Sequence, residues 1–333
     1  MPRARRGLPR WAWLPLAVAL AAAAAWVPLP LYGVGPGTAY DAESLITVRG
    51  RPEHRDGGAV LLTTVSFRRL SALDALLAWL DPAWTVVRPE ALFAPGETER
   101  EEERRSEREM DRSKVDAAAV VASRVAGYPD RHRPGALVEL VVPGCPAAPE
   151  LAPGDVIVRI DGTRVRDERQ AGRLIRTAGA GEALALEVRS GGSRRTIRLA
   201  PEPCAGSDRA VLGVVLIDNL PFGVRMAIGD VGGPSAGLAW ALGLYDLLTP
   251  GDLTGGRTIA ASGSVDLQGR VGAVGGIAAK VHAAAGARAT VFVVPRDDAA
   301  EARSAGVAGI RIVPVRTFDE AVRFLEGMAG EGG

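Results

Sequence analysis

Residues 226–256 read MAIGDVGGPSAGLAWALGLYDLLTPGDLTGG. From Ala236 to Leu248 apolar residues face all round, so this stretch reads as a buried helix. Gly232-Gly233 reads as a flexible turn, and Pro234 suits the first helical turn. Ser235 is thereby set at a helix N-terminus. There, unpaired N–H groups and the positive end of the helix dipole face any oxyanion that forms nearby. Gly233, Ala236 and Gly237 are small and leave room for a peptide to approach. An ordinary N-cap serine would suit the same position. What separates the two readings is a base.

The second stretch, ASGSVDLQGRVGAVGGIAAKVHAAAGARATVFVVPRDD (261–298), supplies one. It reads as a strand, a turn at Leu267-Gln268-Gly269, a further strand-like piece, and a helix from Ile277 to Ala285 that opens after Gly275-Gly276. Lys280 falls in the first turns of that helix among Ile277, Ala278, Ala279 and Val281. Apolar neighbours disfavour the ammonium and lower a lysine's pKa. Of the 40 basic residues only Lys114 and Lys280 are lysine; the rest are Arg. A lysine that survives such a bias suits a task that Arg cannot perform, the loss of a proton near neutral pH.

Taken together, the two stretches resemble the proteolytic domain of the Lon protease family. Gly233-Pro234-Ser235-Ala236-Gly237 matches the family's nucleophile motif. Gly269-Arg270-Val271-x-x-Val274-Gly275-Gly276-Ile277-x-x-Lys280 matches its lysine motif, 45 residues on as in the family. The resemblance implies Ser235 as nucleophile, Lys280 as general base, and Ser262 where the family often has a Thr that hydrogen-bonds the lysine. Backbone N–H groups of Gly233, Ser235 and Ala236 are the oxyanion candidates. Two positions depart from the family: Gly232 stands where ATP-dependent members often carry Asp, and Ala273 replaces a frequent Pro. No G-x-x-x-x-G-K-[ST] phosphate loop occurs, so ATP-independent peptidase chemistry without a cofactor is expected. Many Lon-type domains act as rings, so a homo-oligomer is a further implication.

Residues 135–200 alternate strongly and resemble PDZ domains attached to bacterial envelope proteases. Gly135–Val138, Pro146-Ala147-Ala148, Leu151–Ile157 and Asp161-Gly162 carry that resemblance. It implies a groove for an extended peptide or C-terminus beside Leu137, Val138, Glu139 and Leu140, across from the helix that holds Leu174. Cys145 and Cys204 allow a single disulfide pairing.

Residues 11–32 (WAWLPLAVALAAAAAWVPLPLY) carry no charge and are long enough to span a bilayer. Four Arg precede them, which predicts residues 1–10 inside and the chain after residue 33 outside. Ala22–Ala24 would also fit signal-peptide cleavage. Residues 97–113 are nearly all charged, with opposite signs at i,i+3 and i,i+4, and read as a solvated helix continuing to Gly127. The expected fold class is α+β: a transmembrane helix (11–32), a linker region with a charged helix (33–112), a PDZ-like β-sandwich or barrel domain (113–203) and an α/β Lon-type domain (206–330).

Net charge is +1, without the basic footprint that nucleic-acid binding needs. The three histidines have no metal-ligand spacing, and no metal site is expected. Gly233-x-Ser235-x-Gly237 also matches the α/β-hydrolase nucleophile elbow, which would need His282 and an acid such as Asp252 or Asp266. On the preferred reading His282 is an exposed helix residue. A non-catalytic PDZ scaffold is the other alternative, and the intact Ser235, Ser262 and Lys280 argue against it.

Overall fold

The computed structural model describes residues 27–55, 57–125, 132–204, 207–229 and 231–330, with isolated residues between 15 and 25. In chain order the labelled elements begin with β1 (Pro28–Asp41), β2 (Ile46–Arg49), β3 (Ala59–Ser71), α1 (Ala72–Leu80), β4 (Thr85–Val87) and α2 (Glu99–Val125). There follow β5 (Arg133–Val141), β6 (Val156–Ile160), α3 (Glu168–Thr177), β7 (Leu184–Ser190), β8 (Ser193–Leu199), β9 (Val214–Asn219) and β10 (Gly223–Met226). The last part contains α4 (Gly237–Leu248), β11 (Thr258–Ala261), α5 (Ile277–Gly286), β12 (Val291–Pro295), α6 (Ala299–Ser304), β13 (Arg311–Val315) and α7 (Phe318–Gly330).

One sheet has the order β13-β12-β11-β3-β1-β4. Its β13, β12, β11 and β3 run parallel, and β1 and β4 close it antiparallel. The parallel strands are buried on both faces and read as apolar runs: VFVVP in β12, TIAA in β11 and AVLL at the start of β3. Leu61, Ala260, Phe292 and Val294 point to one face and pack on Ile277, Val281 and Ala284 of α5. Val60, Leu62, Ile259, Ala261 and Val293 point to the other and join the core around α4. At the centre of that core Trp240 is fully buried, and its Nε1 donates to the Met110 sulfur of α2 at 3.5 Å.

Residues 33–112 are therefore not a linker: β1, β3 and β4 complete the sheet that carries the later motifs. The pairing joins strands far apart in the chain, for example Leu62 with Ala261. The second sheet, β9-β5-β6-β7-β8, spans Arg133 to Asn219, which moves the expected limits of 113–203 and 206–330. Its residues Leu137, Val156 and Ile217 pack into the core with α2. Ser71 caps α1 through a complete capping box, in which Asp74 takes the place usually held by Glu.

The expected span 11–32 lies mostly outside the described residues. Its last five residues, Pro28–Tyr32, are not helical; they open β1, with Pro28 paired to Ser71 and Tyr32 to Arg69. Pro28 and Pro30 are poor interior helix residues, and the strand partners satisfy their neighbours. Among the described residues no helix is long and apolar enough to cross a membrane.

Candidate active site

Ser235 sits in a single 3-10 turn, Pro234–Ala236, that leads directly into α4. Three elements clasp this turn. From β11 and the residues after it, Ser262 Oγ donates to the Ser235 carbonyl at 3.2 Å and the Gly263 N–H donates to the same oxygen at 2.9 Å. From α4, the Leu238 N–H donates to the Gly263 carbonyl at 2.9 Å. From α2, Ser113 Oγ donates to the Pro234 carbonyl at 3.1 Å, and the Ser106 carbonyl accepts the Gly233 N–H at 2.7 Å. Gly237 is required by space: a Cβ there would lie 2.9 Å from both Ser113 Oγ and the Val265 nitrogen. Gly233 is required by conformation, with φ +89°. The Ser235 side chain itself remains partly open to solvent.

The charged helix 97–113 thus has a function beyond solvation. Ser106, Met110 and Ser113 fall at i, i+4 and i+7, one face of α2, and that face meets the Ser235 turn and Trp240. The stripe of small and apolar residues within the charge run was the signal for it.

Lys280 is 2% exposed. On α5 it stands three residues after Ile277 and four before Ala284, within the stripe turned to the sheet. Burial lowers its pKa to about 8, against an opposing pull from the Asp298 charge. Asp298 is itself buried and accepts the Val274 N–H at 2.9 Å, which fixes the loop before α5. Gly276 opens α5 in the left-handed conformation at φ +68°, and a Cβ there would meet Val65 at 3.0 Å.

Thr63 was missed by the sequence reading. In β3 the row Leu61, Thr63, Val65 faces α5, because Leu61 packs on that helix and Gly276 abuts Val65. Register sets Leu62 beside Ala261, so Thr63 and Ser262 are the next pair along, on the α5 side of the sheet. Two strand residues advance ~6.6 Å and four helical residues ~6 Å, so Thr63 stands level with Lys280 if Val65 stands level with Gly276. Thr63 is 2% exposed, and its Oγ1 finds no hydrogen-bond partner among the described residues.

A model of the Lon protease (S16) C-terminal proteolytic domain matches residues 226–325, and a PDZ domain model matches residues 137–190. The chain carries a PDZ domain and a Lon-type proteolytic domain. Lon protease 2 of Bacillus subtilis (strain 168) is 31% identical over 104 residues, which cover 31% of this chain and 17% of that protein. Lon protease of Trichlorobacter lovleyi is 33% identical over 94 residues, 27% of this chain and 11% of that protein. The chain thus spans less than a fifth of either relative. Among solved structures, the PDZ domain of the SdrC-like protein Lin2157 from Listeria innocua is 21% identical, covering 25% of this chain and 92% of that one, with a TM-score of 0.23. That of Lmo2051 from Listeria monocytogenes is 22% identical, covering 25% and 86%, with a TM-score of 0.23. The Lon-type match begins at Met226, yet β1, β3 and α2 around its site lie before the PDZ domain in the chain.

Three expectations about site residues change. Gly233 is not an oxyanion donor, because its N–H is committed to Ser106. An i→i+3 turn also directs the Ala236 N–H back to the Gly233 carbonyl, which leaves the Ser235 N–H as the strongest candidate. In the PDZ domain, Leu137, Val138, Glu139 and Leu140 are not at a sheet edge: β5 is paired with β6 on one side and β9 on the other. The chain's own residues 214–219 fill the edge where a peptide was expected. Glu139 instead accepts from Arg112 of α2 at 2.9 Å, beside Asp116, whose carboxyl is pushed up to about 7 mainly by burial and then by the Glu139 charge. Among the described residues β9 has no partner on its outer side, and it lies against α3 with Val214, Leu216 and Leu174 in one small core. The Cys145–Cys204 disulfide is formed, and Gly213, at the start of β9, abuts Cys145 so closely that no side chain fits.

His282 is half-buried rather than exposed, with a shielded Nε2 that has no partner among the described residues. The elbow reading fails on topology. The strand before Ser235, β10, pairs with β2 and belongs to neither large sheet.

Proposed function

We propose that this protein is a membrane-anchored, ATP-independent serine endopeptidase in which Ser235 is the nucleophile and Lys280 the general base. The observation that carries the reading is Lys280: a buried lysine, lowered to about 8, on the same side of the sheet as Ser262, whose hydroxyl holds the Ser235 carbonyl. Neutral Lys280 takes the Ser235 proton as Oγ attacks a peptide carbonyl, and the ammonium then returns it to the leaving amine. Water hydrolyses the acyl-enzyme with Lys280 again as base. The Ser235 N–H at the start of the helical turn stabilises the oxyanion. Ser262 and Thr63 position the amine from the sheet.

The apolar run before Val27 and the Arg residues before it support a single anchor with the folded domains outside the cytoplasm. A formed disulfide fits that oxidising side. The PDZ domain takes an extended peptide along the open edge of β9, opposite Leu174. Substrates are accordingly envelope or secreted proteins.

The full-length chain in membranes is expected to label with a fluorophosphonate probe and to cleave unfolded casein, and Ser235→Ala is expected to do neither. Labelling that persists in Ser235→Ala would overturn the assignment. Leu174→Glu is expected to weaken binding of a peptide with an apolar C-terminus at least tenfold by fluorescence polarisation, as buried charge replaces an apolar contact. Probe labelling at Ser235 should be unchanged in that variant.

A further inference from the structure

Helix α1 is turned inside out. Leu73, Leu76, Leu77 and Leu80 stand at i, i+3, i+4 and i+7, the stripe a surface helix normally buries. Here these residues are 48–65% exposed, and Trp79 beside them is 77% exposed. The inward face is Ser71, Asp74, Ala75 and Ala78, small or polar residues seated on the sheet. Asp74 is held there by the capping box and by Arg68 at 3.6 Å. Contiguous exposed apolar surface of this kind marks an interaction site.

Its place in the fold says with what. Pro28, where the uncharged run of residues 11–27 hands over to β1, pairs with Ser71, the N-cap of α1. The N-terminal end of the stripe therefore lies beside Pro28, where the chain follows on from the apolar run. Arg68 lies over the Trp84 ring at 5.1 Å, and Arg69 Nε donates to the Leu29 carbonyl at 3.1 Å, so two cations flank the same point. Exposed leucines with tryptophans and arginines close by have the composition of a helix at a lipid surface.

We propose that α1 lies in the headgroup–acyl boundary of an anionic bilayer, with Leu73, Leu76, Leu77, Trp79 and Leu80 immersed. This holds the sheet and the Ser235 turn in a fixed orientation to the membrane, which a single point of attachment would not do. It builds on the anchoring proposed above, and the test separates the two.

The full chain, with the native disulfide intact, would carry one added cysteine labelled with nitrobenzoxadiazole, at Leu76→Cys, at Leu20→Cys in the apolar run, or at Glu301→Cys on α6 as an exposed control. It would be reconstituted in vesicles of phosphatidylcholine and phosphatidylglycerol. Expected at residue 76 are blue-shifted emission, quenching by spin-labelled lipid, and reduction by dithionite several-fold slower than at residue 301. Equal behaviour at 76 and 301 overturns the proposal, and if residue 20 is quenched by lipid in that case, anchoring survives alone. Protection at 76 without quenching by spin-labelled lipid also overturns it, since protein, a second copy or a partner, then covers the stripe. Quenching at 76 but not at 20 keeps the interfacial helix and rejects the anchor.

Discussion

A Lys280→Met chain should lose peptidase activity and yet be more stable than the wild type. Lys280 is 2% exposed and its pKa is lowered to about 8 in the fold, first by burial. Lowering a lysine's pKa means that the folded state disfavours the charged form. Below pH 8 both states are protonated and the full cost is present, and it fades as pH rises from about 8 toward the unfolded value. The drop from 10.5 to about 8 corresponds to a cost on the order of 3 kcal/mol. Met fills a similar volume without charge, so denaturant unfolding at pH 7 should show a gain of about 1–3 kcal/mol, lost again at pH 10. Loss of the proposed general base should lower kcat/KM by about 10²–10⁴-fold. Lys280→Arg should be as inactive, and less stable above about pH 8, where Lys280 sheds its proton and Arg keeps its charge at that buried site. In the wild type, kcat/KM should rise with pH and level off above about 8, as the neutral amine fills. A flat profile from pH 6 to 9 with a stability unchanged in Lys280→Met would remove Lys280 from the mechanism.

Much of this site was open to sequence reading because its chemistry is local. The Pro234–Gly237 turn, the Gly275-Gly276 helix start and the near-solitary lysine each depend on residues within a few positions. What was not legible is which strand lies beside which. Alternation in ALVELVV shows a strand but not that Val214–Asn219 will cover its outer side, so the expected groove was set beside an edge that the chain itself fills. Likewise nothing near Leu62 announces Ala261 as its neighbour, and with that pairing hidden, Thr63 could not be brought to the α5 face. Charge dominated the composition of α2 and hid the narrow face that carries Ser106, Met110 and Ser113. Burial and hydrogen bonding at that face depend on partners more than a hundred residues away.

The same helix explains why an acid is absent at residue 232, and predicts that restoring one does harm. A Cβ on Gly232 would lie 2.6 Å from the Ser106 Cβ and 3.1 Å from the Ser106 carbonyl carbon. No φ in the left-handed region stands in the way there, so space alone forbids a side chain. The Ser106 carbonyl is also the acceptor of the Gly233 N–H at 2.7 Å, so a Gly232→Asp side chain must push α2 off the bond that fixes the Ser235 turn. Gly232→Asp should therefore destabilise the fold by about 1–3 kcal/mol, the usual range for overpacking. A shift of ~1 Å at Ser235 should lower kcat by about 100-fold. The compensating variant separates crowding from charge. Ser106→Gly removes the clashing Cβ and costs α2 about 0.5 kcal/mol by helix propensity. In the Gly232→Asp, Ser106→Gly double variant most of the lost kcat should return, and the coupling energy between the two sites should be at least about 1 kcal/mol in a double-mutant cycle. If instead Gly232→Asp alone raises activity, the carboxylate reaches the amine without disturbing α2, and the turn is held by something other than Ser106. If the two substitutions prove additive, the damage comes from the charge, and Lys280 would then show it as a higher apparent pKa in the pH profile.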